Sequence, residues 1–167
     1  MNGAVQDGSD GAITSAVQPI ISVAVPLRAV DPWHLASEEG NTMGLLLFPG
    51  DGNVNSPDVD WSYSGFSAFR TWLAQAEGFV LADMYGFGGE RPWSSVSTTL
   101  EPLLDHPDDA GPDLTSAQCA AMLPRLEAII DQRDDSDPVA RRHVDDARRL
   151  IAVMRVCREK DVDLYFG

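Results

Sequence analysis

Lysine is almost missing from this 167-residue chain: Lys160 stands alone beside eleven arginines. Cysteine and histidine are scarce too, at two and three residues. No spacing among His34, His106 and His143 suggests a zinc site. Cys119 and Cys157 cannot build a disulfide framework. Each falls on the apolar stripe of a predicted helix, so both are expected as buried, reduced thiols. No apolar run approaches the roughly eighteen residues that a membrane span needs, which argues against a membrane partner. The N-terminus lacks a basic region and a continuous apolar segment, so it does not read as a signal peptide, and a cytoplasmic location is expected. No hydroxyl sits in a nucleophile-elbow context, and no cofactor is expected.

Acid, by contrast, is plentiful. The net charge is −14, and it is unevenly spread. Residues 1–138 hold 21 acids against five bases, whereas residues 139–167 hold five acids against seven bases. Most of the molecule would repel a phosphate backbone, so nucleic acid is not an expected partner. Such a surface suits a basic protein partner drawn in by electrostatic steering, or it simply maintains solubility.

Hydrophobic residues make up 44% and charged residues 23% of the chain, ordinary values for a globular protein. Residues 1–42 are weakly patterned and are expected to form a flexible extension, with at most an edge strand over Ile20–Leu27, where Pro26 limits pairing. From Met43 the pattern sharpens. Met43–Phe48 reads as a buried strand stopped by Pro49-Gly50, and residues 43–167 are expected to form a single domain that begins at that methionine. Asp51–Asp60 reads as a polar connector.

Four helices follow. The first is predicted over Gly65–Glu77, with Ser64 as N-cap and Gly78 as a left-handed stop. Phe66, Phe69, Leu73 and Ala76 share its inner face, while Ser67, Arg70, Thr71, Ala74 and Gln75 take the outer one. A short second helix begins at Thr98, where Thr98 and Glu101 are spaced as a capping box. The third starts with the pair Thr115 and Gln118 and carries a stripe from Cys119 to Ile130, with Pro124 expected to kink it. The fourth opens on Asp137 and Pro138, with arginines spread over its outer faces. Val162–Phe166 alternates and is expected to add a strand beside Leu45–Phe48. The fold class is therefore mainly α with a small β-sheet (α+β): about four helices around one aromatic and leucine core.

Few residues bear chemistry. Gly86-Phe87-Gly88-Gly89 lacks the preceding strand, following helix, Lys and Ser/Thr of a phosphate loop, so it reads as a tight turn with Phe87 plugging the core. Placing Gly111 at position six of a calcium loop puts His106, Ala110 and Ala117 at ligand positions, which fits badly; no metal is expected. His106 lies between a leucine-rich helix and a carboxylate cluster. As a general base it would need Asp105 or Asp108 to orient it; the simpler role is to cap its helix or bond a carbonyl. Trp61, Tyr63 and Trp93 are placed on loops near Arg91, where exposed aromatics would form a binding hot spot.

The succession Ser62-Tyr63-Ser64-Gly65-Phe66, Gly86-Phe87-Gly88-Gly89 and Pro102-Leu103-Leu104-Asp105-His106, followed by Asp108 and Gly111-Pro112-Asp113-Leu114-Thr115, resembles a group of small acidic proteins of actinobacteria and their phages. The resemblance covers about residues 43–166. It implies the domain limits above and carries over no activity.

The reading that results is a protein–protein interaction module, uncertain as to enzyme activity, in a defence, immunity or phage–host setting. Its candidate binding residues are Trp61, Tyr63, Arg91, Trp93, His106 and Asp108. Two rivals stand beside it: a small-molecule binder or hydrolase-like enzyme using His106, Asp108 and Arg91 around the Gly86–Gly89 loop, and an acidic mimic of nucleic acid.

Overall fold

A computed structural model describes residues 44–107, 111–132 and 137–167. The expectations for residues 1–42 and for Met43 fall outside the described residues.

The pattern Gly44-Leu45-Leu46-Leu47-Phe48-Pro49 alternates in burial and forms strand β1 (Gly44–Pro49). It is the middle of a three-stranded antiparallel sheet, flanked by β2 (Val59–Ser62) and β3 (Leu164–Phe166). Leu45 pairs with Trp61 and Leu47 with Val59 on one side, while Leu47 pairs with Phe166 on the other. The terminal strand thus lies where alternation placed it. β2 corrects the sequence reading, because Val59 and Trp61 point inward from what was taken as connector and loop. Trp61 is only 5% exposed and stacks on Phe69 with ring centres 5.1 Å apart. It belongs to the core, not to an exposed hot spot: four residues of alternation are enough once β1 supplies a partner.

Helix α1 (Tyr63–Ala76) leaves β2 without a linker. Its N-cap is Ser62, whose Oγ accepts from the Gly65 amide at 3.1 Å, so the helix starts two residues before the expected Gly65. Tyr63 is therefore a half-buried helical residue. Gly78 ends the helix in the left-handed region at φ 84°, as anticipated. Two outer-face assignments fail: Arg70 and Ala74 are buried.

Single 3-10 turns at Leu81–Asp83 and Trp93–Ser95 carry the chain to the one-turn helix α2 (Glu101–Leu104). The expected capping box does not form there. Thr98 Oγ1 instead accepts from the Leu100 amide at 3.0 Å, which stabilises the turn before the helix.

The capping box of α3 (Ser116–Asp131) does form, with Thr115 and Gln118 satisfying each other's amides. This helix continues through Pro124 and buries Cys119, Met122, Leu123, Leu126 and Ile129. Helix α4 (Pro138–Lys160) starts as its sequence indicates: Asp137 Oδ1 accepts from the Val139 amide, and Pro138 occupies the first turn. It buries Val144, Ala147, Leu150, Ile151 and Met154 against α3 and the sheet. One contiguous core of rings, leucines and methionines results. Cys119 and Cys157 lie inside it, both free. A hydrogen bond with the Cys157 sulfur and burial push the Cys119 thiol up, away from nucleophile character. Among the described residues no helix is long and apolar enough to cross a membrane.

Candidate functional site

The ridge Asp105-His106-Pro107 follows α2 directly and separates two open grooves. The larger, of ≈ 990 Å³, runs from Thr98 and Glu101 across the ridge to Asp113 and the first turns of α3. The smaller, of ≈ 570 Å³, is bordered by Arg70, Tyr85, Gly86, Phe87 and Trp93. Asp105, His106 and Pro107 line both.

His106 holds the ridge in place. It is 3% exposed, and its ring lies flat on Phe166 with centres 3.7 Å apart. Nε2 is 2.9 Å from the Pro112 carbonyl oxygen, and Nδ1 contacts the carbonyl of Pro107. Gly111 packs edge-on to the imidazole: a Cβ there would sit 2.6 Å from Cε1 and Nε2. With a backbone carbonyl beside each ring nitrogen, the imidazole N–H donates to one of them and ties its own turn to the segment at Pro112. That is the carbonyl-bonding role.

Arg70 secures the ridge from behind. Reaching from the middle of α1, it is 3% exposed, and its Nη1 donates to the His106 carbonyl at 2.5 Å. Its guanidinium carbon sits 4.4 Å from the centre of the Phe66 ring and 5.1 Å from that of Phe87. A planar, weakly hydrated cation suits such a place between rings. This residue was missed in the sequence, though a signal existed. At about 100° per residue, Arg70 lies only about 40° from Phe66 around the helix, within the apolar stripe.

The Gly86–Gly89 loop shapes the smaller groove. Gly86 and Gly88 take φ values of 92° and 100°, and Gly89 packs so tightly that a Cβ would lie 2.0 Å from the Asp83 carbonyl oxygen. Around this turn Tyr85 N donates to Arg91 O, and Arg91 N to Asp83 O. Phe87 is partly buried against the core, close to the plug anticipated for it. Tyr85 is 72% exposed at the groove's edge.

The other predicted site residues scatter. Trp93 is half-buried, packs edge-on against Phe79 and Phe87, and lines the smaller groove. Its indole donates to the Tyr85 carbonyl at 3.2 Å. Arg91 is exposed and lies outside the described walls of both grooves; its Nε donates to Ser95 Oγ at 2.9 Å. Trp61 and Tyr63 likewise line neither groove. Asp108 lies outside the described residues. The triad of His106, Asp108 and Arg91 is therefore not assembled by what the structure describes.

Charge distinguishes the two sides of the molecule. Several basic residues of α4 are taken up in ion pairs: Arg149 with Asp60 at 2.7 Å, Arg155 with Glu127 at 2.7 Å, Lys160 with Asp51 at 2.5 Å. Arg125 of α3 pairs with Glu77 at 2.5 Å. The Arg149 guanidinium holds the Asp60 carboxyl below its usual range. Lys160, Ser56 and the Asn53 amide hold that of Asp51 well below it. The larger groove is different. Glu101, Asp105 and Asp113 line it, and no Lys or Arg stands among its described lining residues. Its remaining wall is three threonines, three prolines, Leu114, His106, Gln118 and Ala121.

Comparison with protein-family models, curated proteins and solved structures returns no match.

Proposed function

We propose that this protein is an interaction module that takes a basic, extended segment of a partner protein into the groove between α2 and α3. The observation that carries this reading is the groove's lining: Glu101, Asp105 and Asp113 around ≈ 990 Å³, with no described cation beside them. Carboxylates without a counter-charge among the described residues favour an incoming Arg or Lys, and complementary charge raises both encounter rate and selectivity. Pro102, Pro107, Pro112 and Leu114 offer apolar surface for the stems of such side chains. The rigid ridge, pinned by Arg70 and the His106 ring, limits the ordering cost of binding.

Carbodiimide joins carboxylates directly to lysine amines, so it tests this reading. The protein is cross-linked in lysate of its own source and the joined residues are mapped. Links from Glu101, Asp105 or Asp113 to lysines of one recurrent partner are expected, and Glu101→Lys/Asp113→Lys should abolish them. Links confined to other carboxylates, or capture unchanged in that variant, would refute the proposal.

A further inference from the structure

The smaller groove, of ≈ 570 Å³, differs from the larger one in being built of rings: Tyr85, Phe87 and Trp93 border it beside Gly86 and the ridge residue Asp105. The frame behind these rings is fixed. The Tyr85 amide donates to the Arg91 carbonyl at 2.8 Å, and the Tyr85 carbonyl accepts from the Trp93 indole at 3.2 Å. Trp93 in turn packs edge-on against Phe79 and Phe87, with ring centres 6.1 Å away in each case. Tyr85, by contrast, leaves 72% of its surface in solvent. A large exposed ring on a fixed backbone offers contact area at a small ordering cost.

Asp105 brings a carboxylate to the same turn, since a Cβ on Gly86 would sit 3.9 Å from its Oδ1. Among the described residues the Asp105 side chain makes no hydrogen bond or ion pair. Aromatic faces beside such a carboxylate are complementary to a cation.

The shape of the groove selects which cation. Phe87 is already used, because the Arg70 guanidinium lies 5.1 Å from its ring centre. That buried charge, donated to the His106 carbonyl, bars a second cation from Phe87 and leaves Tyr85, Trp93 and Asp105 as the reachable partners. An open groove with two available rings cannot enclose a methylated ammonium. A guanidinium is flat and weakly hydrated, lies on ring faces and forks onto a carboxylate, whereas a lysine ammonium is compact and holds its water. Asp105, His106 and Pro107 line both grooves, so a chain lying in the acidic groove reaches the rings by crossing the ridge.

We infer, resting on the reading of the larger groove as the seat of a basic segment, that the smaller groove takes one arginine of that same segment, its guanidinium lying on Tyr85 and Trp93 and paired with Asp105. The rings thereby select arginine over lysine, a distinction that net charge alone does not draw.

The full-chain protein is titrated by calorimetry with a peptide of alternating glycine and arginine and with its glycine–lysine counterpart of equal length and charge. The arginine peptide should bind roughly tenfold tighter. Tyr85→Leu, at an exposed position, should remove most of that preference, and Tyr85→Phe, which keeps the ring, should retain most of it. Equal affinities of the two peptides for the parent protein, or a preference that survives Tyr85→Leu, would overturn the inference. Glu101→Lys/Asp113→Lys separates it from the role of the larger groove, since both peptides should weaken in that variant. If both weaken and no arginine preference exists, the proposed function stands and the arginine seat falls. If neither weakens and the Tyr85-dependent preference persists, the larger groove's role falls and the seat stands. Binding of neither peptide to the parent protein would overturn both.

Discussion

Replacing Arg70 with methionine removes a buried cation while keeping much of its apolar stem. Two contributions among the described residues are lost. The charged donor to the His106 carbonyl, at 2.5 Å, contributes about 1.5–3 kcal/mol. The placement over the Phe66 and Phe87 rings, shielded from water, contributes about 0.5–2 kcal/mol. The two are not additive, and methionine regains some packing, so Arg70→Met should cost about 3 kcal/mol, a large part of the 5–15 kcal/mol typical of a domain. Arg70→Lys should cost roughly half as much, about 1.5 kcal/mol, because an ammonium can reach the carbonyl but cannot lie flat between two rings. Urea unfolding monitored by tryptophan fluorescence measures both, with an unchanged m value confirming that the same transition is compared. Amide exchange at Asp105 and His106 should also accelerate in Arg70→Met, since the ridge loses its rear support. A methionine variant within about 0.5 kcal/mol of the parent, with exchange at the ridge unaltered, would refute the assignment.

Two other outcomes follow from the packing. Gly89→Ala would place a methyl carbon 2.0 Å from the Asp83 carbonyl oxygen, so the turn must open; a loss of about 1–3 kcal/mol is expected, and an unchanged melting temperature with intact near-ultraviolet dichroism from Trp93 would contradict it. Burial holds the His143 ring below its usual value despite Asp146, with Arg142 lowering it further, so the folded state binds fewer protons than the unfolded chain. The stability this contributes is complete above about pH 6.5 and is lost as pH falls toward the folded value. His143→Phe keeps the stack on Trp72 and removes the unpartnered Nδ1, so its melting temperature should fall less than the parent's between pH 7.5 and 5.5; equal falls would refute the point.

Local signals were the legible ones. Thr115 with Gln118, Asp137 with Pro138, and Gly78 each act within one helical turn, and their caps and stop stand where the pattern placed them. Val162–Phe166 was readable because alternation survives to the end of the chain. β2 was obscured, since its four residues gain meaning only from β1, whose partners lie twelve (Leu47↔Val59) to eighteen (Gly44↔Ser62) positions earlier. With β2 running to Ser62, the helix is capped there and not at the expected Ser64. Arg70 was assigned to the solvent face by its charge, although its helical angle pointed inward. The grooves had no sequence signature at all. They arise where α2, the ridge and the start of α3 meet, and Glu101, Asp113 and Thr115 become neighbours only there.

The central claim is that the groove carboxylates Glu101, Asp105 and Asp113, with no cation among the described lining residues, recognise a basic segment of another protein. Its most direct measurement is the affinity of the cross-linked partner for the parent protein and for the neutral variant Glu101→Gln/Asp105→Asn/Asp113→Asn, compared at low and physiological salt. Three groove charges at about 0.5–1 kcal/mol each predict roughly ten- to hundredfold weaker binding and a shallower salt dependence in the variant. Equal affinities and equal salt slopes would contradict the account.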